Sequence, residues 1–331
     1  MTIVPRTSSP LVVCALIPDA HEPTKALRLL GCSRVSVRNG NAVGRLSNVT
    51  VLAVPYSQLV ESLALASDGV VAIIDGNVGV SPALIDMWRS LVDWNVSRHI
   101  AVIGSANGRA DFDEVVAIAD RVMEESMLVR YLPIDNDDST NLVGIFDVLT
   151  SEMHVLDDGK ITVRSSDPEH VQLTNDKREA LIEDIAHYDP SDALVTAFEG
   201  GMPLSIPALE QAWINPDIVS VTPIDNGVGA QVVAAWMSTL INRWSPVIHE
   251  GDTSIAVDEV SETVGIGVSR GIARIWHTDR SVLLERVHAR RTPVSTDDFT
   301  VDGGLCFATG IELNDTIRPV HSSYLLSEPC F

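Results

Sequence analysis

Asp68-Gly69-Val70-Val71-Ala72-Ile73-Ile74-Asp75-Gly76-Asn77-Val78-Gly79-Val80 is the stretch that decides the fold. Its first half is a continuous β-branched run without polar alternation. That pattern marks a strand buried on both faces, as in a parallel sheet. Its second half is a loop, and Ser81-Pro82 then opens a helix, with serine as cap and proline in the first turn. Leu84, Met87, Trp88, Leu91 and Val92 give that helix one apolar face. The same grammar extends outward. Residues 11–16, 49–54, 99–104 and 127–134 read as apolar strands, and 111–124 as a helix with Phe112, Val115, Val116 and Ala119 inward. Strands alternating with helices predict a doubly wound, mostly parallel α/β sheet.

From about residue 151 the rhythm breaks. Met153-His154-Val155 and Ile161-Thr162-Val163 flank Asp157-Asp158-Gly159, which predicts a β-hairpin. Residues 174–199 are charged and read as helical. The α/β pattern returns with a strand at 218–221 and a helix over 229–244, whose stripe is Val232, Val233, Trp236, Met237 and Leu240. After Trp244-Ser245-Pro246 the elements become short strands at 254–257, 271–277, 281–286 and 304–311, which predicts a small β-barrel. The expected division is an α/β domain at 8–246, with an inserted subdomain at about 152–206, and a barrel at 247–331.

The chain has 331 residues and a formal net charge of −22, so it lacks the excess of Lys and Arg that phosphate backbones require. That balance excludes DNA as an expected partner, though not docking on RNA through a local basic patch. Cys14, Cys32, Cys306 and Cys330 show no metal-ligand spacing, and Cys14 and Cys306 read as buried thiols. No metal is expected. The N-terminus shows no signal-peptide pattern and no apolar run is long enough to span a membrane. A soluble, cytoplasmic protein is expected.

At this point the segments line up with a family. The 68–80 stretch resembles the strand-and-loop region of translational GTPases of the elongation factor G type. Arg109-Ala110-Asp111-Phe112 resembles the G-A-D-F that opens that family's next helix. Leu132-Pro133-Ile134 and Leu142-Val143-Gly144-Ile145-Phe146-Asp147 resemble its L-P-I…G-V-V-D-L stretch. Arg274-Ile275 and Asp302-Gly303-Gly304 are similar to its second domain. The resemblance implies a P-loop-NTPase-like sheet with an insertion, then a barrel like domain II of translation factors, and no counterpart of the family's later domains.

The nucleotide motifs are where the sequence departs. A P-loop needs glycines whose N–H groups wrap the phosphates and a lysine that reaches them. The only lysines are Lys25, Lys160 and Lys177, and none stands in such a motif. The family's D-A-G-K-T-T falls on Asp19-Ala20-His21-Glu22-Pro23-Thr24. A glycine becomes His21, the phosphate lysine becomes Glu22, and the magnesium-binding threonine becomes Pro23. A carboxylate repels phosphate and proline removes a donor. D-T-P-G-H falls on Ala53-Val54-Pro55-Tyr56-Ser57, losing the carboxylate near magnesium, the glycine and the histidine. N-K-x-D falls on Ile103-Gly104-Ser105-Ala106, so Ser105 and Ala106 replace base-reading residues. The base loop falls near Thr222-Pro223-Ile224, and the first switch is cut to a few residues between Arg38 and Asn48. What remains implies no nucleotide, no magnesium and no other cofactor.

Other candidates read as structure. Gly265-Ile266-Gly267-Val268-Ser269-Arg270-Gly271 lacks the following helix of a dinucleotide fingerprint and reads as a turn. Gly104 to Gly108 ends a strand where open sheets bind ligands, but reads as a connector. Asp135-Asn136-Asp137-Asp138 lacks the glycine and terminal glutamate of a calcium loop. His187 beside Asp189 reads as a helix end. Arg286-Val287-His288-Ala289-Arg290-Arg291 is a basic cluster, read either as a solvated edge or as a docking surface for RNA or an acidic partner. The functional expectation is a non-catalytic pseudo-GTPase that acts by binding the ribosome, a translation factor or a second copy of itself. The alternatives are a GTP-binding protein or active GTPase with an unrecognised phosphate-binding mode in the same cleft, and a small-molecule sensor using the vacated cleft.

Overall fold

The computed structural model describes residues 11–37, 42–57, 64, 67–93, 95–104, 111–136 and 141–240, and the backbone alone at 38, 41 and 58. Beyond these it describes the backbone alone at 256–257, 264–269, 272–277, 283–287, 300–302, 305–309 and 316–320. The first element is strand β1 (Leu11–Ile17), followed by helix α1 (Pro23–Leu29). Strands β2 (Arg34–Arg38), β3 (Asn41–Leu46) and β4 (Val49–Pro55) follow, and a 3-10 turn over Tyr56–Gln58. Then come β5 (Gly69–Asp75), α2 (Pro82–Asp93), β6 (Ser97–Ile103), α3 (Phe112–Met123) and β7 (Met127–Val129).

A second group comprises β8 (Tyr131–Asp135), β9 (Leu142–Asp147), β10 (Glu152–Asp157) and β11 (Lys160–Ser165). Helices α4 (Pro168–Leu173), α5 (Asn175–Ala186), α6 (Ala193–Glu199) and α7 (Ile206–Trp213) follow it. The chain then returns to the first sheet with β12 (Val219–Pro223) and α8 (Ala230–Thr239). The last strands are β13 (Ala256–Val257), β14 (Val264–Ser269), β15 (Ile272–His277), β16 (Leu283–Val287), β17 (Thr300–Asp302), β18 (Leu305–Thr309) and β19 (Thr316–Val320).

The large sheet has eight strands in the order β2-β3-β4-β1-β5-β6-β12-β7. From β4 to β7 every pairing is parallel, and β2 and β3 close one edge as an antiparallel hairpin. The deciding stretch is central: β5 is buried from Gly69 to Ile74 between β1 and β6. One face packs on α2 and α3 through Leu84, Trp88, Leu91, Phe112 and Ala119. The other packs on α1 and α8 through Leu27, Leu30, Val233 and Met237. Ser81 precedes α2 and its carbonyl accepts from Leu84 and Ile85. Asp111 caps α3, its Oδ1 accepting the N–H groups of Asp113 and Glu114. Val92 is a correction: it is 43% exposed, one position past the face that Leu91 closes.

The span 127–134 is not one strand. β7 stays in the parallel sheet, and after Arg130 the chain enters the antiparallel sheet β11-β10-β9-β8. The non-parallel sheet thus begins at Tyr131, earlier than the 152 expected for the insertion. Leu128 and Leu132 both face the cluster beneath, so their apolar spacing runs through the break without a signal. The predicted hairpin is present, with Asp157 opposite Lys160. Asp158 (φ 45°) and Gly159 (φ 75°) form a two-residue turn with both φ positive, which suits a tight antiparallel hairpin. Most of the segment assigned to the shortened first switch is strand β3.

The final strands form two small sheets, β14-β15-β18-β17 and β13-β19-β16, antiparallel apart from β13 with β19. The fold is therefore a large mostly parallel α/β sheet plus a small β domain. Residues 265–269 are corrected from turn to strand: β14 pairs along its length with β15. Glycines at alternate positions, Gly265 and Gly267, hid the period-2 pattern that identifies a strand.

Candidate functional site: the crevice at the carboxyl ends of the parallel strands

Open parallel sheets bind ligands outside the carboxyl ends of their strands. Here those ends are Ile17, Pro55, Asp75, Ile103 and Pro223. The loop from Pro18 to Glu22 joins β1 to α1 and occupies the place of a phosphate-binding loop. It is tied down on both sides. Asp19 Oδ1 accepts the Ser57 backbone N–H at 2.7 Å, which fixes the loop to the turn after β4. His21 Nε2 meets Asp75 Oδ2 at 2.8 Å, which fixes it to the end of β5. The Ser57 backbone and side-chain hydrogen bonds hold Asp19 below the usual carboxylate range.

Asp75 is set by its own loop. Its Oδ1 accepts the Asn77 N–H at 2.9 Å and the Asn77 side-chain amide at 3.0 Å. Burial pushes the Asp75 carboxyl up, but the His21 and Asn77 hydrogen bonds outweigh it and hold it below the usual range. Gly104 makes this arrangement fit. It sits at φ 76°, and a Cβ there would stand 2.5 Å from the Asn77 amide nitrogen and 3.0 Å from Asp75 Oδ1.

Several backbone donors of this segment are engaged or missing. His21 N–H donates to Pro18 O at 2.9 Å, Lys25 and Ala26 donate to Glu22 O, and Pro23 has no N–H. Glu22 caps α1 by position, with no side-chain cap bond. Its carboxylate accepts the Thr24 hydroxyl and pairs with Lys25 at 3.4 Å, and these contacts hold it below the usual range. Asp19, Glu22 and Asp75 thus surround the loop with carboxylates, a field that repels phosphate.

The remaining predicted positions fall as follows. Ala53 lies inside β4, 1% exposed, opposite Ala15 and Ala42, so its side chain faces the core and not the crevice. Tyr56 is buried and its hydroxyl donates to the Ile73 carbonyl. Ser57 is exposed and meets Asp19 through its backbone N–H and its side chain. Ser105 and Ala106 lie outside the described residues, as do Arg290, Arg291, Asp137 and Asp138. Arg286 falls on β16, of which the backbone is described. His187 ends α5, its Nδ1 bonded to the Glu183 carbonyl. Cys14 and Cys32 are buried thiols pushed up to about 12 by desolvation. Among the described residues no group of three or more His, Cys, Asp or Glu side chains is gathered for a metal, and no helix is long and apolar enough to cross a membrane.

Two buried polar clusters escaped the sequence reading. Arg130 Nε and Nη2 donate to both oxygens of Asp147 at 3.0 and 2.7 Å, and its Nη1 and Nη2 donate to Glu210 at 2.8 and 2.6 Å. The guanidinium also lies 5.2 Å from the Tyr131 ring and 5.5 Å from the Trp213 ring. Burial alone would lower the Arg130 pKa, but Glu210 and Asp147 raise it, so the charge is kept. Arg130 therefore pins β9 and α7 at the crossing from one sheet to the other. His99, fully buried, bonds Ser220 Oγ through Nδ1 at 2.7 Å and is pushed down to about 3 by desolvation, so it stays neutral. Beside it, a cavity of about 30 Å³ is lined by Ser97, Trp213, Ser220 and Trp236 at the amino ends of β6 and β12. That is room for a water and not for a substrate.

No family model matches the chain. Elongation factor G 2 of Vibrio cholerae is 33% identical over 138 residues, 40% of this chain and 19% of that protein. Elongation factor G 2 of Vibrio vulnificus is 32% identical over 148 residues, 44% of this chain and 20% of that protein. The mitochondrial ribosome-releasing factor 2 of Drosophila yakuba is 28% identical over 142 residues, 41% of this chain and 20% of that protein. The chain spans about a fifth of the length of these curated relatives. A crystal structure of a Thermus thermophilus protein matches it with a TM-score of 0.60 at 15% identity, covering 96% of this chain and 53% of that one. At that identity the match speaks for the fold alone.

Proposed function

Starting from its kinship with elongation factor G, we propose that this chain is a pseudo-GTPase that acts by binding a partner. The observation that carries the reading is the loop from Pro18 to Glu22, bound through Asp19 to Ser57 and through His21 to Asp75. A loop held this way lacks the lysine that a triphosphate needs and is ringed by carboxylates that repel it. Three or more lost charged contacts, each worth about 1.5–3 kcal/mol, weaken a micromolar site past the millimolar range. The proposed units are an α/β domain at 8–246, with its insertion, and a barrel at 247–331.

The proposed partner is the ribosome or a factor on it, in the cytoplasm. The names of the relatives support this, one of them being a ribosome-releasing factor. The proposed contact is Arg286, Arg290 and Arg291, a dense positive cluster on a chain of net charge −22. Sedimentation with purified ribosomes tests it. The wild type should co-sediment at low salt and release with added salt, and replacing all three arginines with Glu should abolish it without changing Tm. No co-sedimentation at low salt would rule out the ribosome. Phosphate release from GTP above the ribosome's own background would rule out the pseudo-GTPase.

A further inference from the structure

Residues 151–217 hold fourteen Asp and Glu against four Lys and Arg. Two of the four cations are engaged: Lys177 pairs with Asp113 at 2.6 Å, and Arg178 Nε donates to the Leu149 carbonyl at 3.2 Å. The other two, Lys160 and Arg164, both lie on β11. Both side chains are exposed, and among the described residues neither makes an ion pair or a hydrogen bond. Asp157 stands opposite Lys160 in the hairpin register without an ion pair between them. Among the described residues, the free positive charge of this acidic region is therefore on one strand.

That strand is an edge. Among the described residues β11 pairs with β10 alone. Antiparallel pairing alternates, so every second residue of β11 turns its N–H and C=O away from β10. The pairing runs without a register shift from Asp157 opposite Lys160 to Glu152 opposite Ser165, and no proline interrupts the strand. Its two sides differ. Lys160, Thr162 and Arg164 fall on one, Ile161 and Val163 on the other. Val163 is 56% exposed although it is apolar and β-branched.

Lysine on an edge strand also guards against unwanted pairing. A guarded edge has no reason to keep an exposed valine between its two cations. A cationic side and an apolar side on one edge match a strand with carboxylates on one side and β-branched residues on the other. A second β11 does not meet that requirement. Full antiparallel overlap sets Ile161 against Arg164, and a shift by one residue sets Lys160 against Arg164, like charges in opposition. Single-stranded nucleic acid fits poorly too, because it stacks bases on aromatic rings and residues 160–165 contain none.

We propose that the outer edge of β11, with Lys160 and Arg164 on one side and Val163 on the other, docks an extended acidic polypeptide. The partner adds to the sheet β11-β10-β9-β8 as a fifth strand. Its backbone supplies the hydrogen bonds, its carboxylates meet Lys160 and Arg164, and its β-branched residues cover Val163. This edge is separate from the crevice and from the Arg286 cluster, and it stands whether or not the crevice takes nucleotide.

The test uses the full chain and a short peptide of alternating Glu and Val that carries a neutral fluorophore, followed by anisotropy at low salt. Saturable binding that weakens with salt is expected. The K160E/R164E variant should bind at least about tenfold more weakly with Tm unchanged. If charge reversal lowers Tm, K160Q/R164Q should show the same direction of loss. The peptide N-methylated at alternate residues, which cannot pair with a strand edge, should also lose at least about tenfold. The proposal is overturned if the Glu-Val peptide fails to bind, if the variants or the N-methylated peptide bind as well as the originals, or if an oligouridine RNA binds more tightly than the peptide.

Discussion

The crevice loop and the Arg130 junction are both held by charged hydrogen bonds, yet they do different work. At the junction, Arg130 is 6% exposed and Asp147 2% exposed, and the pair is bidentate. At the crevice, His21 is 31% exposed and meets Asp75 through one contact. Buried charges without partners are costly, so the junction is a structural requirement. The His21–Asp75 pair is partly exposed, with one contact and access to solvent, so it should contribute less than the junction. A chain that had to bind phosphate could not afford either tie across its loop.

Breaking the junction should have the largest effect. Arg130→Met leaves Asp147 buried without its cation and should cost about 3–5 kcal/mol by urea denaturation. Glu210 is 40% exposed, so Glu210→Gln should cost only about 1 kcal/mol. Equal losses from the two variants would break the contrast between buried and exposed arms. Gly104→Ala comes next. It combines a positive φ with a Cβ against Asn77, and should cost about 1–3 kcal/mol in the same assay.

The crevice pair should matter least. Asp75→Asn should lower stability at neutral pH by about 0.5–1.5 kcal/mol. The pH dependence has a defined sign. Asp75 is held below its ordinary range when folded, so its contribution is full above that range, about pH 4, and is lost as pH falls through the folded value. The melting curves of wild type and Asp75→Asn should therefore converge on acidification. A gap that widens toward low pH would contradict the assignment of the pair.

What the sequence revealed and what it hid divide along contact range. The strand at 69–75, the helix after Ser81, the Asp111 cap and the Asp158-Gly159 turn are all encoded within a few residues. The ties that define the crevice are not. Asp19 and Ser57 are 38 positions apart, His21 and Asp75 are 54, and Arg130 and Glu210 are 80. Substitution of the P-loop lysine and glycine was visible, but nothing local announced that His21 would find Asp75. Arg130 did leave a trace, as the one charge in the apolar run from Met127 to Ile134.

The central claim is that the crevice no longer takes guanine nucleotide, and a titration tests it most directly. Fluorescent GTP with magnesium, added to the full chain up to millimolar concentration, should give no saturable signal, and unlabelled GTP should leave Tm unchanged. Saturation in the micromolar range, with Tm rising by several degrees, would contradict the account.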